Sequence, residues 1–194
     1  MFIAISPFKV LDKVDLDHYI EISSHIDLLL LRTPMGRDDL WLSINYLLSR
    51  GFPRDKLMVH TDTSLVEDFD LKFIHFKEND ENAFIYKAQH PHVSVSMSTH
   101  SVESIMDAKV HGLDFVFFGH VFESASKLGR KPRSFSEIER AVGIDIPVFA
   151  IGGIDGDALK VLPKGFKGIC AISFFRDHGV SEIEALRKVW NMYV

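Results

Sequence analysis

Eight short apolar runs, separated by longer amphipathic stretches, constrain this chain more than any other feature. They are Phe2–Ser6, Ile26–Arg32, Leu57–Thr61, Lys72–Phe76, Val93–Thr99, Asp114–Gly119, Pro147–Gly152 and Gly168–Ser173. Each is too short for a core helix and rich in β-branched or aromatic residues, so each reads as a strand. Most lack polar alternation. Ile26-Asp27-Leu28-Leu29-Leu30-Leu31 and Phe115-Val116-Phe117-Phe118 are almost continuously apolar, as a parallel strand covered on both faces requires.

The stretches between the runs read as helices. Leu40-Trp41, Ile44 and Leu47-Leu48 recur at helical spacing before Gly51. Val102, Ile105-Met106 and Lys109-Val110 do the same, with Ser101 as the expected N-cap. Ser134 or Ser136 is expected to cap a helix running to Val142, and Asp155 to open one carrying Ala158, Leu159 and Leu162. Ser181 with Glu184 forms a capping-box pattern for a last helix running to about Met192.

This alternation leaves two architectures, a closed barrel or a doubly wound sheet. Eight repeats ending on a helix favour the barrel: a small single-domain (β/α)₈ TIM barrel over residues 1–194, with strand eight beside strand one. At 194 residues the loops must be short. The longest non-periodic piece, Val121–Arg133, follows strand six, where loops of a barrel tend to be functional.

Composition narrows the partners. The net charge of −5 gives no long-range attraction to nucleic acid or an anionic membrane. One cysteine, Cys170, cannot form an intrachain disulfide and lies in an apolar run, so it reads as buried packing. The start MFIAISPF lacks a basic segment and a long apolar stretch, and no window reaches the ~18 apolar residues of a membrane helix. A cytoplasmic location follows as the expectation. No cysteine pair, HExxH or EF-hand pattern appears, so no metal site is expected, and no P-loop or GxGxxG is present.

In a barrel the residues ending each strand converge on one pocket. Here they are Ser6, Arg32, His60–Asp62, Lys77–Glu78, Thr99–His100, Gly119–His120, Ile151-Gly152-Gly153 and Ser173-Phe174. Gly152 and Gly153, at a strand-to-helix turn beside Ser173-Phe174, suit close backbone approach to a phosphate. His120 sits at the mouth, and imidazole titrates near neutrality, which suits proton transfer; an ordinary backbone-bonded histidine is the alternative. Lys127 lies on the long loop. His100 either meets ligand or fixes its turn. His60 and His75 read as satisfied core groups, and Arg130-Lys131-Pro132-Arg133 as a mobile basic loop.

Together these pieces resemble the thiamine phosphate synthase superfamily, in detail its thiazole tautomerase branch. The likeness is carried by Arg32, Ser98-Thr99-His100-Ser101, Asp114 through Glu123, Lys127, and Pro147 through Ile154. The synthases have Gly-Pro where this chain has Gly119-His120; the tautomerases have Gly-His. The synthases also carry an Asn-Asp pair after strand three, whose Asp binds magnesium, where this chain has His60-Thr61, and Gln-x-Arg on strand two, where it has Leu30-Leu31-Arg32. Asp62 and Asp80 stand near the family's metal carboxylates, with the first out of register.

The resemblance implies a cofactor-free isomerisation in thiamine biosynthesis: a carboxylated 5-ylidene thiazoline ethyl phosphate becomes its aromatic thiazole carboxylate phosphate. His120 would be the acid/base. Gly152, Gly153, Ser173 and Phe174 would hold phosphate, Lys127 or Arg32 the carboxylate, and His100 would line the site. The alternatives are a magnesium-dependent thiamine phosphate synthase and a non-catalytic ligand-sensing relative, the latter without a helix-turn-helix for DNA. Apolar outer faces on so small a barrel are compatible with a homodimer, and the sequence leaves the oligomeric state open.

Overall fold

The structure is a computed structural model describing residues 1–124, 129 and 131–193. Eight parallel strands close in the order β1-β2-β3-β4-β5-β6-β7-β8, with β1 paired to β8 as well as β2. They are β1 (Phe2–Ile5), β2 (Leu28–Leu31), β3 (Leu57–His60), β4 (Phe73–Phe76), β5 (Ser94–Thr99), β6 (Phe115–Gly119), β7 (Val148–Ile151) and β8 (Gly168–Ala171). Every expected strand is present, trimmed by one or two residues at one end or both. The register Phe2↔Ile169, Ile3↔Cys170, Ala4↔Ala171 closes the barrel and removes the doubly wound alternative.

Helices alternate with the strands: α1 (Lys13–Glu21), α2 (Arg37–Ser49), α3 (Thr63–Phe69), α4 (Asn82–Gln89), α5 (Val102–Val110), α6 (Phe135–Val142) and α7 (Gly156–Val161), then α8 (Ser173–Asp177) and α9 (Val180–Tyr193). Their starts follow side-chain capping. Ser101 and Ser134 each form a capping box, and the Asp155 carboxylate accepts from the N–H groups of Asp157 and Ala158. The helix after β8 departs from expectation. Ile183 N–H bonds Gly179 O, so α9 begins ahead of Ser181, whose hydroxyl bonds Glu182 instead. Ser173, expected to end the last strand, opens the short α8.

Period-two alternation splits each strand between two cores. Ile3, Ile5, Leu28, Leu30, Met58, Phe115, Phe117, Phe149 and Cys170 fill the barrel interior. Their neighbours, such as Ala4, Leu29, Val59, Ile74, Val95 and Phe118, face the helices. Phe115, Phe117 and Phe149 pack with ring centroids 5.3–6.4 Å apart, and burying each stabilises the fold by ~1.5–3 kcal/mol. The interior is therefore packed, and the Cys170 thiol sits in it fully buried, its pKa pushed up by burial. No helix among the described residues is long and apolar enough to cross a membrane.

The β1–β8 seam depends on Gly168. A Cβ there would lie 2.0 Å from Met1 O and 2.6 Å from the Phe149 ring. Gly36 has open space around it. Gly168→Ala is expected to destabilise by ~2–4 kcal/mol, against less than ~0.5 kcal/mol for Gly36→Ala, measured by urea unfolding.

Candidate active site

The mouth of the barrel is built from the ends of its strands, and its best-defined wall is the crossing of β6 and β7. Past Gly119 the chain runs along the end of β7: Val121 N–H bonds Ile151 O at 2.9 Å and Phe122 N–H bonds Gly152 O at 3.1 Å. Three glycines make the approach possible. A Cβ on Gly119 would lie 2.3 Å from Ile151 O, one on Gly152 2.4 Å from His120 Cβ, and one on Gly153 2.3 Å from Glu123 O. Gly152 and Gly153 also have φ of 100° and 67°, in the left-handed region that favours glycine. Their missing side chains thus make room for residues 120–123. Among the described residues nothing accepts the Gly153 N–H, and the exposed Ser173 opens α8 on the next strand end.

His120 is nearly fully buried in this crossing, at 5% exposure, and the Gly119–His120 peptide is cis. Arg133 pins the segment from outside: its N–H bonds His120 O at 3.0 Å and its Nε bonds Gly119 O at 3.3 Å. The end of the Arg130–Arg133 cluster is therefore a clamp on the His120 backbone, not the mobile loop expected. Lys127 lies outside the described residues.

Across the mouth stands Arg32. Its backbone is bracketed by the buried Ser6 hydroxyl, which accepts from Arg32 N–H at 2.8 Å and donates to Arg32 O at 3.1 Å. Its guanidinium lies 5.0 Å from the Phe8 ring centroid, and no carboxylate among the described residues pairs with it. A cation without an acidic partner among the described residues is suited to a ligand anion.

His60 and His75 occupy the interior face at β3 and β4, in register with each other and with rings 5.9 Å apart. Burial, then the Arg32 charge, lowers the pKa of His60 to about 4 against the opposing pull of Asp80. His75 is pushed well below the ordinary range by complete burial, then by His60 and Arg32. Both shifts favour the neutral imidazole in the fold. The polar character of this interior was hidden because serine on alternate positions of β5 looks like a solvent face.

His100 turns toward Glu78: Oε1 accepts from its N–H at 2.5 Å and Oε2 lies 2.8 Å from its Nδ1. The pair sits on a cleft of about 470 Å³ with Ser101, Ser104 and Asp107. Burial raises the Glu78 pKa, but the His100 and Ser104 hydrogen bonds outweigh it and lower it overall. Asp62 Oδ1 accepts from the N–H groups of Ser64 and Leu65 and from the Ser64 hydroxyl, capping α3. Asp80 Oδ1 bonds Asn82.

Two outcomes follow. Gly153→Val, which would have been a clean ligand-binding probe on an open turn, is expected to displace residues 119–123 and lower the melting temperature by several degrees, visible by calorimetry. The neutral histidines add a pH dependence. Their folded pKa values lie below the unfolded value of ~6.5, so the unfolded chain takes up more protons as pH falls. The contribution of these two histidines is fully present above pH ~6.5 and is lost progressively as pH falls toward ~4; urea midpoints should show this slope, flattened in His60→Gln.

Comparison with known proteins places this barrel. The family model for thiamine monophosphate synthase (TMP-TENI) matches residues 53–175. A "Putative thiamine-phosphate synthase 2" of Aquifex aeolicus is 33% identical over 53% of this chain and 56% of its own. A thiamine-phosphate synthase of Listeria monocytogenes serotype 4a is 30% identical over 74% of this chain and 69% of its own. The chain thus spans little more than half the length of the first curated relatives it matches. A thiamine phosphate pyrophosphorylase structure from Pyrococcus furiosus superposes with a TM-score of 0.79 at 21% identity, covering 100% of this chain and 96% of that one. On the family match across more than half its length, this chain belongs to the thiamine monophosphate synthase family.

Proposed function

We propose that this protein is a thiazole tautomerase, moving one proton in a phosphorylated thiazole precursor of thiamine. The carrying observation is the imidazole of His120, held at the end of β6 where the synthase pattern has proline. In this reaction the ring proton leaves the carbon bearing the carboxylate. The electron pair shifts to make the ring aromatic, and a proton joins the exocyclic alkene carbon, so substrate and product are isomers. His120 takes the first proton and returns it. Arg32 pairs with the carboxylate, or Lys127 does, and the ethyl phosphate lies between the Gly153 N–H and the Ser173-Phe174 turn.

The threonine at position 61 argues against the magnesium of pyrophosphate displacement. Thr61 stands where the synthases have their ligand carboxylate. Asp62 Oδ1 is engaged in three bonds at the start of α3, and Asp80 Oδ1 in bonds to Asn82. Proton transfer within one molecule needs no leaving group neutralised. The relatives' names favour a second reading, thiamine-phosphate synthesis, which predicts magnesium-dependent joining of thiazole phosphate to a pyrimidine pyrophosphate.

Three outcomes test the proposal in an ultraviolet assay of aromatisation, corrected for the uncatalysed rate. His120→Gln should lower kcat by roughly 10²–10⁴-fold; near wild-type turnover removes the mechanism. EDTA should leave the rate unchanged, whereas a reversible magnesium requirement with pyrimidine coupling establishes the synthase. Ser173→Asp, an exposed change that places a carboxylate beside the phosphate, should raise KM about tenfold or more at unchanged melting temperature. An unchanged KM puts the phosphate elsewhere.

A further inference from the structure

The chain that leaves β6 at His120 returns to the same place at Arg133. Arg133 N–H bonds His120 O at 3.0 Å, which closes the neck of the segment between them. The Arg133 side chain reaches one residue further back, where Nε bonds Gly119 O at 3.3 Å. Its outer end is tied as well, with Nη1 3.4 Å from Glu137 Oε1. Glu137 is itself held at the start of α6: Oε2 accepts from Ser134 N–H at 2.8 Å and from the Ser134 hydroxyl at 2.7 Å. The Arg133 side chain, at 26% exposure, thus spans the first turn of α6 and the main chain at His120.

The two carbonyls that Arg133 meets belong to the two peptide planes flanking the His120 Cα. Each plane is rigid, so holding both fixes φ and ψ of the residue between them and the direction of its Cα–Cβ bond. The second plane is held at both edges, by Arg133 N–H at His120 O and by Ile151 O at Val121 N–H. The first is met at its carbonyl by the Arg133 side chain. A tilt of either plane carries the imidazole with it. Substitution of Arg133 spares the main-chain bond and removes the contact to Gly119 O together with its tie to Glu137.

The geometry points to Arg133 as a positioning residue for the proton shift, acting through the main chain of His120 and steadied by Glu137. This rests on the reading that His120 is the acid/base. A group that takes a proton from carbon must lie within reach of it, and a misplacement of ~1 Å can cost about 10²-fold. A guanidinium spent on a main-chain carbonyl and a helix-capping carboxylate contributes to kcat rather than to ligand affinity.

A double-mutant cycle on the full chain tests it, in the same aromatisation assay. Arg133→Gln should lower kcat about ten- to a hundredfold. KM and the affinity for inorganic phosphate should stay within about twofold. Arg133→Lys, whose ammonium reaches one carbonyl but lacks the planar fork, should retain more kcat than Gln. In the double variant, Arg133→Gln should add no more than about twofold to the loss in His120→Gln, because its effect passes through the imidazole. If Arg133→Gln fails to fold, Arg133→Lys carries the comparison: lower kcat than wild type, unchanged KM and no added loss in His120→Gln. Losses that multiply in the double variant mean that Arg133 acts on the substrate directly, and they overturn the assignment. A fall in phosphate affinity overturns it too, as does wild-type kcat in a folded Arg133→Gln whose only change is a lower melting temperature. Near wild-type turnover in His120→Gln defeats the proposed function and this inference together; a collapse in His120→Gln beside multiplying losses defeats this inference only.

Discussion

The mouth of this barrel depends on the close crossing of residues 119–123 over the end of β7. Two backbone hydrogen bonds continue the β6–β7 pairing beyond the strands, and three glycines leave the space for it. Arg133 fastens the segment from the far side with a main-chain and a side-chain bond. The main-chain position of His120 is thus held by backbone hydrogen bonds together with the Arg133 side chain. A glycine pair that reads as room for a ligand serves first as room for another stretch of the same chain.

Charge is distributed around the mouth with the same economy. Arg32 is fixed at its backbone by Ser6, its guanidinium lies over the exposed Phe8 ring, and no acid among the described residues pairs with it. Its field helps keep His60 and His75 neutral. Burial and this cation both favour the neutral form of the two imidazoles, and no acid among the described residues forms a buried ion pair with Arg32, so the desolvation penalty of such a pair does not arise.

The eight strands were legible because a strand covered on both faces must be nearly all apolar, and few other elements of that length are. Helix starts were legible where a serine or aspartate precedes an amphipathic run, as at Ser101, Ser134 and Asp155. Ser181 misled because its pattern lies inside a helix that starts after Gly179. The polar interior face of β5 was the least legible part. Ser94, Ser96 and Ser98 alternate with Val95, Met97 and Thr99 as an exposed strand would, and only closure of the barrel turns that polar face inward. Arg133 was obscured by its basic neighbours, since charge clustering says nothing about which member meets main-chain carbonyls.

Cys170 gives this architecture a built-in reporter. It is the single cysteine of the chain, it lies wholly inside the closed sheet, and burial disfavours its thiolate. A water-borne thiol reagent reaches it only when strands part, because fraying of the outer helices leaves the strands around it in place. Its labelling rate in native buffer therefore measures how often the sheet itself opens, separately from the looser motions of the layer that surrounds it.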